Sequence, residues 1–305
     1  MEEKETMPKQ KRHFILFVLL IALGLMLGGE ILGELLVLPL RNLLPEQYVG
    51  LKFLFLYLEF IGIDLLVLLY CSQAEKEILR SFRAKKRGGS RGNTAKHLAL
   101  GLLIGFLMNG ACILAAWLHG DLDFSVGRFR PVYLLLGLLC VLIQSGAEEL
   151  LTRGYMLSAL RERYGTWVAV AVSALFFGAL HLLNPGITVL SFLEIVAIGA
   201  AFALVVVCLD SLWMAIGIHT AWNFTQNLLF GLPNSGHVSV SSFLHLDAAA
   251  NSLFYDAVFG VEGAVPALIV TLLLALGVVW YASRKNLPSW GKGDRVSGGG
   301  GEMTS

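Results

Sequence analysis

Eight stretches of this chain are almost wholly apolar, each approaching or exceeding the ~20 residues that a helix needs to cross a ~30 Å hydrocarbon layer. They cover residues 14–40 (with a polar second half), 51–71, 98–118, 132–144 and onward, 167–183, 187–209, 212–230 and 263–283. Inside lipid no water is present to satisfy peptide groups, so such stretches must close their hydrogen bonds internally as helices. Composition agrees. Charged residues make up 15% of the chain and the mean hydropathy is +0.71, whereas a globular domain carries about a quarter charged residues. The fold class expected is all-α, a polytopic transmembrane bundle of about eight helices, with the protein integral to a membrane, the cell membrane by expectation, and multi-pass.

Charge sets the expected orientation. Lys4, Lys9, Lys11 and Arg12 precede the first run, and Lys76, Arg80, Arg83, Lys85, Lys86, Arg87, Arg91 and Lys96 follow the second. The positive-inside rule places both groups in the cytoplasm, and eight crossings then put both termini there. The first run is too long for a cleavable signal peptide and lacks a small-residue cleavage site, so it reads as a signal anchor. The basic loop is foremost a topology determinant, and its cations also suit anionic lipid or an acidic substrate. The chain divides into residues 1–130 (N-terminal helices and basic loop), 131–232 (the core), 233–285 (outer loop and last helix) and 286–305. This last stretch, polar and glycine-rich, is expected to be disordered. A net charge of +1, with its basic residues scattered into loops and ends, gives no surface for nucleic acid. Cys71, Cys112, Cys140 and Cys208 show neither CxxC nor metal-finger spacing and read as small hydrophobes.

Ionisable residues inside apolar helices are costly unless paired or hydrated, so each is a candidate for function. Glu30 and Glu34 read as an interfacial helix end. Glu59, Asp64 and Glu194 have no recognisable partner in sequence and read as structural. His13, His97, His119, His237 and His245 fall in loops or at helix ends, but His181 and His219 sit in ALFFGALHLL and MAIGIHTAWNF. The fourth run continues without proline through EELLTRGYMLSALRERY to Gly165, which predicts a long helix. Glu148 lies about 17 residues before that turn and His181 about 16 after it. At ~1.5 Å per residue, antiparallel partners equally far from a turn sit at the same depth, so Glu148 and His181 can meet. Counting does not place His219 at that depth.

Within each helix, residues four apart share a face. Glu149 and Arg153 have this spacing and predict an internal salt bridge, leaving Glu148, rotated ~100° around the helix, as the free carboxylate. Among apolar walls such a glutamate suits a general base. His219 and Asn223, also four apart, suit donation to a developing oxyanion.

The three patterns have a relative. EELLTR (148–153), FGALH (177–181) and HTAWN (219–223) match the EExxxR, FxxxH and HxxxN motifs of the CPBP family, named for CAAX proteases and bacteriocin-processing enzymes. It is also called the Abi or type II CAAX prenyl endopeptidase family. The resemblance runs from Gln144 to Phe230, and no motif residue departs from the pattern. It implies an intramembrane endopeptidase with a membrane-associated protein or peptide substrate, prenylated or not, and the lipid bilayer as its setting. Glu148 and His181 would activate a water, His219 and Asn223 would stabilise the oxyanion, and Glu149, Arg153 and Phe177 would hold the geometry. No cofactor is favoured. Glu148, His181 and His219 are also a plausible zinc triad, but HExxH is absent and Asn223 serves better as an oxyanion donor. The alternatives are a non-proteolytic scaffold or immunity protein of the same fold, and a transporter, which would prefer broken helices and inverted repeats. Neither is evident, and Asn184, Pro185 and Gly186 read as a loop between helices.

Overall fold

The computed structural model describes residues 14–83 and 92–285. The N-terminal cations and His13, Lys85, Lys86, Arg87 and Arg91 of the basic loop, and the tail from residue 286 lie outside these. The described chain is α1 (Ile15–Leu43), α2 (Val49–Leu58), α3 (Ile61–Ala74), α4 (Lys76–Phe82), α5 (Ala95–His119), α6 (Pro131–Glu149), α7 (Leu157–Tyr164), α8 (Thr166–Leu180), α9 (Val189–Leu209), α10 (Leu212–Phe224) and α11 (Val265–Arg284). Two short strands, β1 (Leu122–Val126) and β2 (Leu244–Ala249), pair antiparallel outside the bundle, an addition to the all-helical expectation. Helix starts follow ordinary capping chemistry: Thr94, Thr188 and Ser211 accept backbone N–H bonds at the heads of α5, α9 and α10. Pro131 begins α6, where its missing N–H costs nothing.

Among the described residues, six helical stretches are long and apolar enough to cross a membrane: α1, the α2–α3 pair, α5, the α6–α7 unit, α9 and α11. The shorter α8 and α10 fall on the remaining two apolar runs. The protein is thus an integral, multi-pass membrane protein. In the most apolar windows only 17% of α1 and 22% of α11 is buried, against 56% of α9, so α9 is central and the other two face lipid along most of their surface. None of the four cysteines is in a disulfide.

Three departures from ideal helices matter for the interior. The 51–71 run is interrupted at Glu59 and Phe60, both still near right-handed helical dihedrals. Gly62 and Ile63 there donate to carbonyls three residues back, a tightened turn rather than an unwound stretch. The interruption divides the run into α2 and α3 while Val49–Ala74 still makes one 26-residue span, and Arg41 answers Glu59 with a 2.7 Å ion pair. The long helix over 131–164 exists, but a π-helical segment, Leu150–Met156, joins α6 to α7. A second π segment, Thr225–Leu229, follows α10. Glu30 and Glu34 are also corrected: α1 extends to Leu43, so they lie in mid-helix rather than at its end.

Against α3, α1 packs backbone to backbone. A Cβ on Gly33 would fall on the carbonyl oxygen of Glu59, and one on Gly62 on that of Gly29. Glycines of this kind let membrane helices gain dispersion contact where no hydrophobic drive separates protein from lipid. Gly33→Val should destabilise the protein by about 1–3 kcal/mol, as overpacking does, or prevent folding. Gly24→Val, where nothing lies within 4 Å of the added carbon, should leave the thermal midpoint in detergent near wild type. Equal midpoints for the two variants would refute the contact.

Candidate active site

A cavity of about 610 Å³ opens inside the bundle, walled by α1, α2–α3, α6, α8, α9 and α10 and by loop residues including Asn234, His237 and Glu262. Glu148, Phe177, His181, His219 and Asn223 all line it. Glu149 and Arg153 stand behind them with no exposure at all.

The deepest element is the ion pair. Arg153 Nη1 donates to Glu149 Oε1 at 3.1 Å and to Thr152 Oγ1 at 2.6 Å. Its Nε and Nη2 have no hydrogen-bond partner. Instead the guanidinium lies 4.2 Å from the centre of the Phe177 ring, with Phe202 further off at 5.7 Å, the stacking that a planar, weakly hydrated cation favours. Gly199 on α9 makes room, since a Cβ there would meet Nη2 at 2.9 Å. Phe177 in turn packs against both histidines, tilted to His181 at 4.8 Å and edge-on to His219 at 6.0 Å between ring centres.

Glu149 does more than brace Arg153. Its Oε1 also receives His219 Nδ1 at 3.1 Å. Because an ionised carboxylate only accepts, Nδ1 carries the proton and the other ring nitrogen faces the cavity side. There Nε2 lies 3.6 Å from Glu148 Oε2. That oxygen is buried and has no hydrogen-bond partner, while Glu148 Oε1 accepts from Gln144 Nε2 at 2.7 Å. His181 ends α8 and directs Nδ1 to the Phe177 carbonyl at 2.8 Å. A carbonyl also only accepts, so in the neutral ring Nε2 keeps its lone pair. Asn223 Nδ2 donates to Gln144 Oε1 at 3.1 Å, and its Oδ1 accepts from Asn234 Nδ2 at 3.1 Å. Thus Glu148, His181, His219 and Asn223 share one cavity, and the spacing-based pairing of Glu149 with Arg153 is present. Among the described residues no group of three or more His, Cys, Asp and Glu side chains is arranged to hold a metal ion.

Several contributors were not singled out in the sequence. Gln144 joins Glu148 to Asn223, and its place four residues before Glu148 was the available signal. His237 lines the cavity, although it reads as a loop residue of no consequence. Glu262 belongs to the outer loop by sequence yet is 5% exposed and reaches the same wall. Of the acids read as structural, Glu194 accepts from Thr271 at 2.9 Å, whereas Asp64 Oδ1 has no hydrogen-bond partner.

The fold and this polar interior define a multi-pass membrane protein with a cavity between its helices lined by carboxylate, imidazole and amide side chains. Residues 130–225 match the family described as type II CAAX prenyl endopeptidase, Rce1-like. That is the family to which the three motifs pointed, it is one of membrane endopeptidases, and the matched segment holds every motif residue. No curated protein and no solved structure matches the chain.

Removing one partner of a buried ion pair strands the other charge. Arg153→Met should therefore cost about 3–5 kcal/mol, seen as a large fall in thermal midpoint. Arg153→Lys, which keeps the charge but cannot stack as a plane on Phe177, should recover only part of the loss. A midpoint for Arg153→Met within a degree of wild type would contradict this account.

Proposed function

We propose that the protein is an intramembrane endopeptidase that hydrolyses peptide bonds of membrane-associated substrates, CAAX-type prenylated proteins or peptides, with a water activated by Glu148. One observation carries this reading: the unpartnered Glu148 Oε2, held among apolar walls beside His219 Nε2 and in one cavity with His181. A carboxylate whose other oxygen is already occupied by Gln144 has one oxygen left for a proton.

In the proposed reaction a water lies between Glu148 Oε2 and His181 Nε2. Glu148 takes its proton as the oxygen attacks the scissile carbonyl carbon, and the carbonyl oxygen becomes an oxyanion. Asn223, whose Nδ2 has a second N–H beyond the one given to Gln144, donates to that oxygen. His219 adds a second donor at Nε2 when its ring is protonated, held in place by Glu149 through Nδ1. Collapse of the intermediate breaks the C–N bond, and the proton held by Glu148 passes to the leaving amine, so that water is divided between the two products. The apolar side chains of Met26, Leu56, Phe60 and Ile63 on the same cavity wall suit an apolar chain attached to the substrate. A cytoplasmic placing of both termini, from the basic residues outside the apolar runs, completes the proposal.

No step requires a metal. Purified protein should keep its activity in a strong chelator, and Glu148→Gln, which preserves shape and removes the base, should lower turnover by about 10²–10⁴-fold with little change in thermal midpoint. The decisive experiment compares protein termini in membranes of cells carrying wild type, Glu148→Gln or a deletion at matched abundance. New termini that need wild type would name the substrate. Identical termini, with Glu148→Gln rescuing every deletion phenotype, would favour a non-proteolytic scaffold. Stoichiometric zinc whose removal abolishes activity would overturn the metal-free chemistry.

A further inference from the structure

Glu262 sits in a short 3-10 turn, Val261–Gly263, just ahead of α11 and beyond the segment that matches the family. Each side chain that hydrogen-bonds it donates. Trp222 Nε1 and Asn234 Nδ2 reach Oε1 at 2.9 and 3.0 Å, and Gln226 Nε2 reaches Oε2 at 2.6 Å. The sense of the Gln226 amide is itself fixed, because its nitrogen also donates to the Pro233 carbonyl while its oxygen accepts from Asn109. Burial pushes the Glu262 carboxyl up, and the bonds from Gln226, Trp222 and backbone groups including that of Ser235 oppose the rise. Since its side-chain hydrogen-bond partners among the described residues all donate, the ionised carboxylate is the form that fits. Gly260 permits the approach: its φ is +99°, and a Cβ there would collide with the Pro233 carbonyl.

The consequence runs inward. Asn234 gives one Nδ2 hydrogen to Glu262 and the other to Asn223 Oδ1. Asn223 must therefore turn its oxygen to Asn234 and its nitrogen to Gln144 Oε1, and Gln144 turns its own nitrogen to Glu148. The chain of amides has a single sense, fixed by a carboxylate at each end. A flipped Asn223 would set NH₂ against NH₂ and oxygen against oxygen, leaving two buried hydrogen bonds unmade. From this geometry we infer that Glu262 is a positioning residue, which through Asn234 holds the Asn223 N–H groups toward Gln144 and the reaction cavity. The inference rests on the endopeptidase reading for its chemistry, though not for its geometry.

Wild type, Glu262→Gln, Asn223→Ala and the double variant, reconstituted in nanodiscs, provide the test with an internally quenched farnesylated CAAX peptide as probe. Glu262→Gln should lower kcat by about tenfold or more with KM within about twofold, the pattern of a contact used in the transition state. In the Asn223→Ala background it should cause no further loss. Thermal midpoints measured without substrate should likewise be less than additive for the pair, although the two side chains share no bond. A full multiplicative loss of kcat, additive midpoint shifts or an unchanged kcat would each overturn the inference. If Glu262→Gln does not fold, Asn234→Ala cuts the same link and should give the same two non-additive patterns. If wild type cleaves no probe, the endopeptidase reading fails at this substrate and the midpoint cycle alone decides: non-additive shifts uphold the orienting role of Glu262, additive shifts refute it.

Discussion

Arg153 is the group on which the interior depends. A guanidinium with no exposure, inside a bundle that faces lipid, is tolerable only if its charge is answered and its faces are covered. Glu149 answers the charge, Phe177 covers one face, and Gly199 leaves the space. Each of these commitments is passed on. Glu149 holds His219 by Nδ1, and Phe177 offers its carbonyl to His181 and its ring to both imidazoles. One buried cation is thereby linked through Glu149 to His219, and through the Phe177 ring to the surroundings of both histidines. The ion pair is better understood as a device for placement than as a source of stability, because moving both charges from water costs about as much as their attraction returns.

How much of this was legible depended on whether the signal was local. Apolar length marked the helices, and equal counting about Gly165 paired Glu148 with His181, which line the same cavity even though a π-helical segment interrupts the counted stretch. Four-residue spacing found the Glu149–Arg153 pair, which survives even though Leu150–Met156 is π-helical rather than α-helical. The π segments themselves left no trace, since a one-residue widening of a helical turn is set by tertiary packing and not by composition. His219 was assigned its chemistry without its depth. The tie of His219 to Glu149 rather than only to Asn223 follows from how α10 rests against α6, which spacing on one helix does not encode.

The outer loop was the largest omission. By sequence it reads as a connection between helices, because its polar residues look solvated. In the folded chain Asn234 and Glu262 turn inward and are nearly as buried as the motif residues. Glycines at 260 and 263 on either side of an acid that lacks any basic neighbour in sequence were the available clue. Such a pattern is ambiguous until it is known which carbonyl the backbone must pass, here that of Pro233. The cavity wall is therefore drawn from two sources: a central segment carrying ionisable groups, and a later loop supplying the Asn234 donor to Asn223 and the Glu262 acceptor behind it.

That division has a consequence in time. The chain is made from its N-terminus, so Glu148, His181, His219 and Asn223 all leave the ribosome before Glu262 does. Until α11 is inserted and the turn ahead of it folds back, Asn234 lacks the partner that sets its amide, and Asn223 is free to face either way. A nascent bundle can thus contain every motif residue while the sense of the Asn223 amide is still unset. The turn ahead of the final helix is therefore the last part of the chain to join the hydrogen-bonded network around Asn223.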